Sequence, residues 1–541
     1  MLQKQRKIIE FSGSMVLSAV VFLLIYKFIP IVYATNDDRM IAEIISGQFS
    51  GTPEAYAIQM SYGFTWFLSK LYEVTNDLNW YGIALLGTQI LSFGSMLYRL
   101  QSFGKKWTEK LCILAASIGL FLALWLKVYV QMTYTSTAAF VGLAAIFWYA
   151  TSKTNWKNCL MAGILANLAF CIRPNVFYML VPATGLVYLW KIFGKKEQTK
   201  LTIAAPFLIL AVTAGLFFVN SVAYAKPEWK EFMAFFDDRT QIYDYYDLAD
   251  FEDHPELYEP YGIDKTEYDM IRVYNYTTMG EEPKTFFPEY IAAYEEMEQR
   301  EGITFTTKAV NAVKTFFKDV FTGEYGVENT VLFVAAAVLL FVSFMKKRYL
   351  LSLYLGTQWA ANTMLWLYFT YWQRAIDRIQ ISMSLIFLAV ILHVLYELCQ
   401  APEGEETEPS NKKAGSFVIL FVLVGIFVFA GNMARIPAVD TILSSLLEKS
   451  TLLVSVASCQ VMSNVPSAIL LSQFTTDYHS LLLGVNIGGT GTLIASLASL
   501  ITFSEFRILY PGHTKKYFLL FTLINFIFLA IMLIASKLFF I

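Results

Sequence analysis

A chain of 541 residues that is 56% apolar and only 16% charged exceeds the roughly 45–50% apolar content usual for soluble domains. Its net charge of −2 gives no pull toward polyanions, and without a basic arm interleaved with aromatics the sequence argues against nucleic-acid binding. The five cysteines (Cys112, Cys159, Cys171, Cys399 and Cys459) lie in or beside apolar runs without metal-ligand spacing, so they read as small packing residues.

The apolar residues fall in runs near the roughly 20 residues that cross a bilayer. In chain order they predict helices over 11–34, 80–98, 111–130, 133–150, 158–172, 174–190, 201–223, 330–345, 349–370 and 379–398. The first run leads straight into Thr35, Asn36 and Asp37 without a cleavage pattern, so it reads as a retained helix. Lys and Arg gather in alternate short loops, as at Lys4, Arg6 and Lys7 and again at Lys346, Lys347 and Arg348. By the positive-inside rule the N-terminus is cytoplasmic, and the loop after residue 34 faces outward in a multi-pass cell-membrane protein.

Two outward regions interrupt the helices. Residues 35–79 carry amphipathic stretches around 41–45 and 62–72. Residues 224–329, rich in Asp, Glu and Tyr, have helix-like pieces at 290–300 and 307–317, and their length suggests a folded ectodomain. An acidic, Pro-containing cytoplasmic linker at 401–415 separates a module over 1–400 from a second over 416–541. That second module has an apolar helix at 416–434, a broken apolar stretch at 441–476, another helix at 480–503 and a last one at 517–540. The fold class expected is an all-α integral membrane protein of about 12–14 transmembrane helices.

In the first module Asn36, Asp37, Asp38 and Arg39 stand where the first helix meets the outer face. Asp37 and Asp38 could deprotonate a hydroxyl or hold a divalent cation, Mg or Mn, against a phosphate. They could equally cap the next helix. Arginines that could grip a phosphate near the same face are Arg39, Arg173 before Pro174, Arg239, and Arg374 and Arg378 flanking Asp377. Each could instead snorkel to headgroups. His254 has no histidine near it in sequence and reads as a surface residue, and the run Tyr243–Tyr246 could stack on sugar rings or form an interfacial belt.

The stretch from Thr35 to Glu54, followed by Asn79-Trp80-Tyr81, resembles the first outer loop of bacterial membrane glycosyltransferases of the GT-C superfamily, and the likeness extends over about residues 8–400. The resemblance implies a GT-C-like helical bundle with an α-rich ectodomain. It also implies a sugar donor on a polyprenyl phosphate, a catalytic acid at Asp37 or Asp38, and direct displacement of the lipid phosphate.

In the second module Ser463-Asn464-Val465-Pro466-Ser467 interrupts one apolar stretch, and Pro466 removes a helix donor and frees a carbonyl about one turn earlier. Four glycines and two threonines between Gly484 and Thr492 interrupt another. Two such breaks facing each other would make a midplane site, with helix N-termini toward an anion and freed carbonyls toward sodium. These segments, with Gly431-Asn432 and Arg435–Ala438, resemble the C-terminal end of ion-transporter superfamily anion permeases of the citrate, dicarboxylate and arsenite type. The resemblance implies transport coupled to Na or H, with Ser463, Asn464, Pro466, Asn486, Gly488, Gly489 and Thr490 at the substrate and cation site. That family has two inverted repeats, each with a Ser-Asn break, whereas the other Ser-Asn pair here, Ser410-Asn411, falls in the linker. A partner chain would therefore complete the half-module, unless it no longer transports or the reading frame joins two genes artificially. The readings left open are glycosyl transfer, transport of a small anion, and a non-catalytic role in assembly.

Overall fold

The computed structural model describes residues 2–197, 199–246, 248–276, 283–400 and 437–539. The linker 401–415, the apolar stretch 416–434 and the residues Gly431, Asn432 and Arg435 lie outside the described residues. The chain is an all-α integral membrane protein. Among the described residues eight helices are long and apolar enough to cross a bilayer. Several present that apolar surface outward: only 17% of the most apolar window in Lys200–Ala223 and 6% of that in Thr514–Ser536 are buried. Such surface is stable only against lipid or a partner.

The chain divides into two compact units, Met1–Arg99 with Gln131–Pro402, and Leu100–Val130 with Glu403–Ile541. In the first unit α1 (Leu2–Phe28) stops short of the expected residue 34, because Pro30 cannot continue the helix ladder. The chain instead extends into β1 (Val32–Tyr33), which pairs in parallel with β2 (Gln131–Met132). Each strand leads into a helix capped by threonine. Thr35 caps α2 (Asn36–Ser46), and Thr133 caps the helix Tyr134–Thr151, each accepting a backbone N–H three residues on.

The segment after α2 continues with α3 (Tyr62–Val74) and leads into α4 (Trp80–Gln101). Helix α5 (Trp107–Val130) groups with the second unit. The helix after β2 is α6 (Tyr134–Thr151), and all its residues are buried, as expected for a helix apolar all round. Around it stand α7 (Trp156–Ile172), α8 (Pro174–Leu189) and, beyond a π-helical turn, α9 (Lys200–Ala223). The insertion at 224–329 holds α10 (Pro227–Gln241), α11 (Lys265–Arg272), α12 (Pro283–Arg300) and α13 (Phe305–Thr322), and α14 (Gly326–Met345), α15 (Tyr349–Tyr371) and α16 (Asp377–Cys399) follow. Helix α16 packs its buried length on α6.

The insertion at 224–329 has a core of its own: Ile242, Tyr258, Tyr268, Ile271, Phe286, Phe287 and Tyr290 are nearly or wholly buried together. Burying each large side chain contributes about 1.5–3 kcal/mol, enough to hold this insertion folded rather than as a loose loop.

Near the far end of α16 from Asp377, Glu397 is 1% exposed and sits among cations. Its Oε2 lies 2.7 Å from Lys195 Nζ and 3.9 Å from Arg348 Nη2, and its Oε1 lies 3.3 Å from His393 Nε2. Gln358 donates to the Tyr354 hydroxyl at 3.1 Å, and that hydroxyl lies 2.9 Å from His393 Nδ1. With Tyr354 donating to Nδ1, the neutral imidazole carries its proton on Nε2, toward Glu397.

The described part of the C-terminal module consists of α17 (Pro437–Met462), α18 (Asn464–Leu471), α19 (Tyr478–Gly488), α20 (Leu497–Leu509) and α21 (Thr514–Phe539). The backbone of α17 leaves the helical region at Ser450. The single helix expected over 480–503 is two, because the glycines after Asn486 let the chain unwind between α19 and α20.

Candidate functional site

The candidate site of the first unit is built on Asp38. In the first turn of α2 its amide is capped by the Thr35 hydroxyl at 3.4 Å, and that hydroxyl donates back to Asp38 Oδ2 at 2.6 Å. The Tyr81 hydroxyl and the Tyr134 backbone N–H both donate to Oδ1 at 2.8 Å. Asp38 is fully buried, and because it sits in the first turn of α2 and Tyr134 opens α6, its carboxylate lies at the start of both helices, where the dipoles favour negative charge. Even so, loss of water outweighs the three donors and pushes its carboxyl up to about 6. Asn79 joins the same network, donating to the Tyr33 hydroxyl at 2.7 Å and accepting from Tyr72 at 3.2 Å. The Asn79-Trp80-Tyr81 motif thus meets the acidic motif in space.

Asp37 differs. One residue is about 100° around a helix, so its side chain leaves the buried face and stays about a third exposed. It accepts from the Tyr134 hydroxyl at 3.4 Å and lies 3.9 Å from Arg378 Nη2. Arg173, between α7 and α8, rests over the Tyr134 ring at 5.2 Å and donates to Gln59. Arg374 lies 2.7 Å from Asp244 Oδ2. Burial raises the Asp244 carboxyl, and the guanidiniums of Arg374, Arg378, Arg239 and Arg173 oppose that rise, in decreasing order. Four of the five arginines singled out in the sequence therefore lie where their charge acts on Asp244, and Arg378 also faces Asp37. Arg239 also packs over Phe236 and Tyr274 at 4.6 and 5.6 Å.

The fifth does not. The side chain of Arg39 is 78% exposed and pairs with Glu43 one turn along α2 at 2.8 Å, so it stays on the helix surface. A divalent cation does not fit this geometry. The Asp38 oxygens are already engaged by three donors, and Arg378 faces Asp37. Among the described residues no three His, Cys, Asp or Glu side chains gather as metal ligands. His254 instead lies 3.3 Å from Glu256 and 3.4 Å from Glu301.

The second candidate site lies within the C-terminal unit, where the two breaks face each other. Ser463 takes φ +77°, a conformation rare for a residue with a side chain, and splits α17 from α18. Because α18 restarts at Asn464, Pro466 falls in its first turn, where it costs no helix hydrogen bond. The break is therefore made at Ser463, one turn before the proline, and not by the proline's missing N–H. Gly484 and Gly488 bring α19 against α17: a Cβ on either would lie 2.7–2.8 Å from Ser455 or Cys459.

Gln460 ties the two breaks together. Its Nε2 donates to Gly488 O at 2.8 Å and Thr490 O at 3.0 Å, while its Oε1 accepts from Thr492 N at 2.9 Å. The Ser463 hydroxyl donates to Ala495 O at 3.3 Å, and a Cβ on Gly489 would lie 3.1 Å from Asn464 Nδ2. Of the residues expected here, Ser463, Asn464, Gly489 and Thr490 meet half-buried, Asn486 is exposed and bonds Leu482 O at 2.9 Å, and Gly488 and Pro466 are buried beneath them.

The sequence reading passed over Gln460, His393 and Glu397. A polar residue inside an apolar run was the available signal for each, and for His393 and Glu397 the spacing of four residues was a second.

Over 87 residues, 15% of the chain, the sequence is 41% identical to a protein of Methanocaldococcus jannaschii named uncharacterized transporter MJ0456. Over 88 residues, 16% of the chain, it is 36% identical to the inner membrane protein YbiR of Escherichia coli (strain K12). Each match covers 24% of the relative, so the chain spans about a quarter of the length of the curated relatives it matches. No family model and no solved structure matches.

Proposed function

We propose that the C-terminal unit is a transport half-module that binds a small anion with a coupling sodium ion or proton at its paired helix breaks. The observation that carries this reading is the Gln460 clip, which holds the unwound Gly488–Thr492 segment against the Ser463 break. Such discontinuous helices place amides and carbonyls where an ion can use them. The first turn of α18 and the Asn464 amide offer donors to a carboxylate, and unwound carbonyls offer oxygens to a cation. The name of one relative, uncharacterized transporter MJ0456, supports transport, and assigning the matched stretch to this unit is part of the proposal. Asn464, Asn486, Gly489 and Thr490 stay partly open, and a partner chain carrying a second break would close over them.

Labelling tests this reading. With exposed Cys112 replaced by serine, Asn486→Cys reacts with a membrane-impermeant maleimide. Citrate with sodium is expected to slow that reaction, and neither alone should do so as well. Equal labelling under all conditions overturns the site.

A second reading is favoured by the gathering of Arg173, Arg239, Arg374 and Arg378 around Asp244, with Arg378 3.9 Å from Asp37. It makes the first unit a glycosyltransferase acting on a polyprenyl-phosphate sugar at the outer face. The arginines would hold the phosphate and Asp37, the accessible acid, would take the acceptor proton, while Asp38 positions the first turn of α2. Asp37→Asn is expected to abolish transfer of a lipid-linked sugar in membranes; retained transfer removes this reading.

A further inference from the structure

One cleft of the first unit has no part in either site. Its volume is about 450 Å³, within the range of small-ligand sites, and it opens between the end of α12, the start of α13 and the end of α15. Aromatic rings form its walls: Tyr371 lies 5.7 Å from Phe305 and 5.2 Å from Trp372, and Trp372 lies 6.4 Å from Tyr246. The rings of Tyr371 and Trp372 are turned by 84°, so they present flat faces in two directions.

Polar groups stand beside these faces. Glu298 Oε2 accepts from Lys308 Nζ at 2.5 Å, and Glu295 Oε1 accepts from the Tyr246 hydroxyl at 2.6 Å. A carboxylate has about four lone-pair sites and an ammonium three donors, so each pair retains hydrogen-bonding capacity after bonding its neighbour. The mixture selects a ligand class. Two carboxylates disfavour an anion. Lys308 and the openness of the cleft disfavour a compact organic cation held in an aromatic cage. A neutral ring with an apolar C–H face and a rim of hydroxyls that both donate and accept matches all the groups present.

We propose that this cleft binds a saccharide, its ring stacked on Trp372 and Tyr246 and its hydroxyls held by Glu295, Glu298 and Lys308. The walls come from the same two segments as the arginine site: Tyr246 is two residues from Asp244, and Trp372 two residues from Arg374, which pairs with Asp244. The proposal names an acceptor subsite for the glycosyl-transfer reading on which it builds, yet binding is measurable without transfer.

The test is saturation-transfer NMR on the full chain in detergent, with maltotriose, cellotriose and triacetylchitotriose as probes and choline as a control. At least one trisaccharide is expected to receive saturation at its ring C–H protons. Trp372→Ala and, should that variant fail to fold, Glu298→Gln are expected to weaken it about three- to tenfold, the worth of one aromatic stack or hydrogen bond. Asp37→Asn should leave it unchanged, which separates binding from the catalytic reading. No transfer to any trisaccharide, transfer indifferent to both cleft variants, or transfer to choline alone overturns the proposal.

Discussion

Replacing Asp38 by asparagine should remove a pH dependence of stability while preserving the fold. In the native protein the carboxyl is pushed up to about 6 against an ordinary value of 3.8. An acid whose folded value is raised is better protonated in the folded state than in the unfolded one. Stability is therefore lost as pH rises from the unfolded value through the folded one, and is level above it. A rise of about two pH units corresponds to about 3 kcal/mol of lost stability between pH 4 and pH 7. Asparagine keeps an oxygen for Tyr81 and the Tyr134 amide, and its amide can donate to the Thr35 hydroxyl once that hydroxyl turns. Alanine leaves the Tyr81 hydroxyl and the Tyr134 N–H buried without an acceptor, at about 1–3 kcal/mol each. Thermal unfolding in detergent, followed by intrinsic fluorescence from pH 4.5 to 7.5, reads this directly. The melting temperature of the wild type minus that of Asp38→Asn should fall as pH rises to about 6.5 and then flatten. A difference that stays level across the range, or rises, refutes the assignment of a desolvated carboxylate.

Three further outcomes follow from the geometry. Glu397→Ala leaves Lys195, Arg348 and His393 around a missing charge, so it should cost about 3–5 kcal/mol, and Glu397→Gln less, in the same melting assay. Gly491→Ala should loosen the clip, because Gly491 has φ +114° and a Cβ there would sit 2.3 Å from Gln460 Oε1; a strained residue of this kind costs about 1–3 kcal/mol, read as faster proteolysis within residues 489–496. If glycosyl transfer is found, Asp37→Asn should lower its rate about 10²–10⁴-fold, the range for a general base, with a much smaller loss in Asp38→Asn.

The helices were legible in the sequence because a bilayer demands long apolar runs. Their ends were legible where a proline or a threonine cap stands, as at Arg173-Pro174 and Thr35. Residues 29–34 misled because Val32 and Tyr33 are as apolar as the helix they follow; only pairing with Gln131 and Met132, distant in sequence, makes them a strand. The sequence placed Asp37 and Asp38 side by side as equals. Helical rotation separates them, burying one among Tyr81, Tyr134 and Thr35 and leaving the other toward Arg378. Nothing local to α2 reveals which is which, since the partners lie 43 and 96 residues away from Asp38. At the second site the glycines and Ser463 announced the unwinding, but the role of Gln460 rests on contacts across about 30 residues.

Uptake by membrane vesicles tests the central claim most directly. Vesicles from cells overproducing the chain, given labelled citrate and an inward sodium or proton gradient, should accumulate more citrate than vesicles from cells lacking it. Asn464→Ala should abolish the excess at equal protein level. Equal accumulation with and without the chain, or an excess that survives loss of the Asn464 amide, would contradict transport through the paired helix breaks.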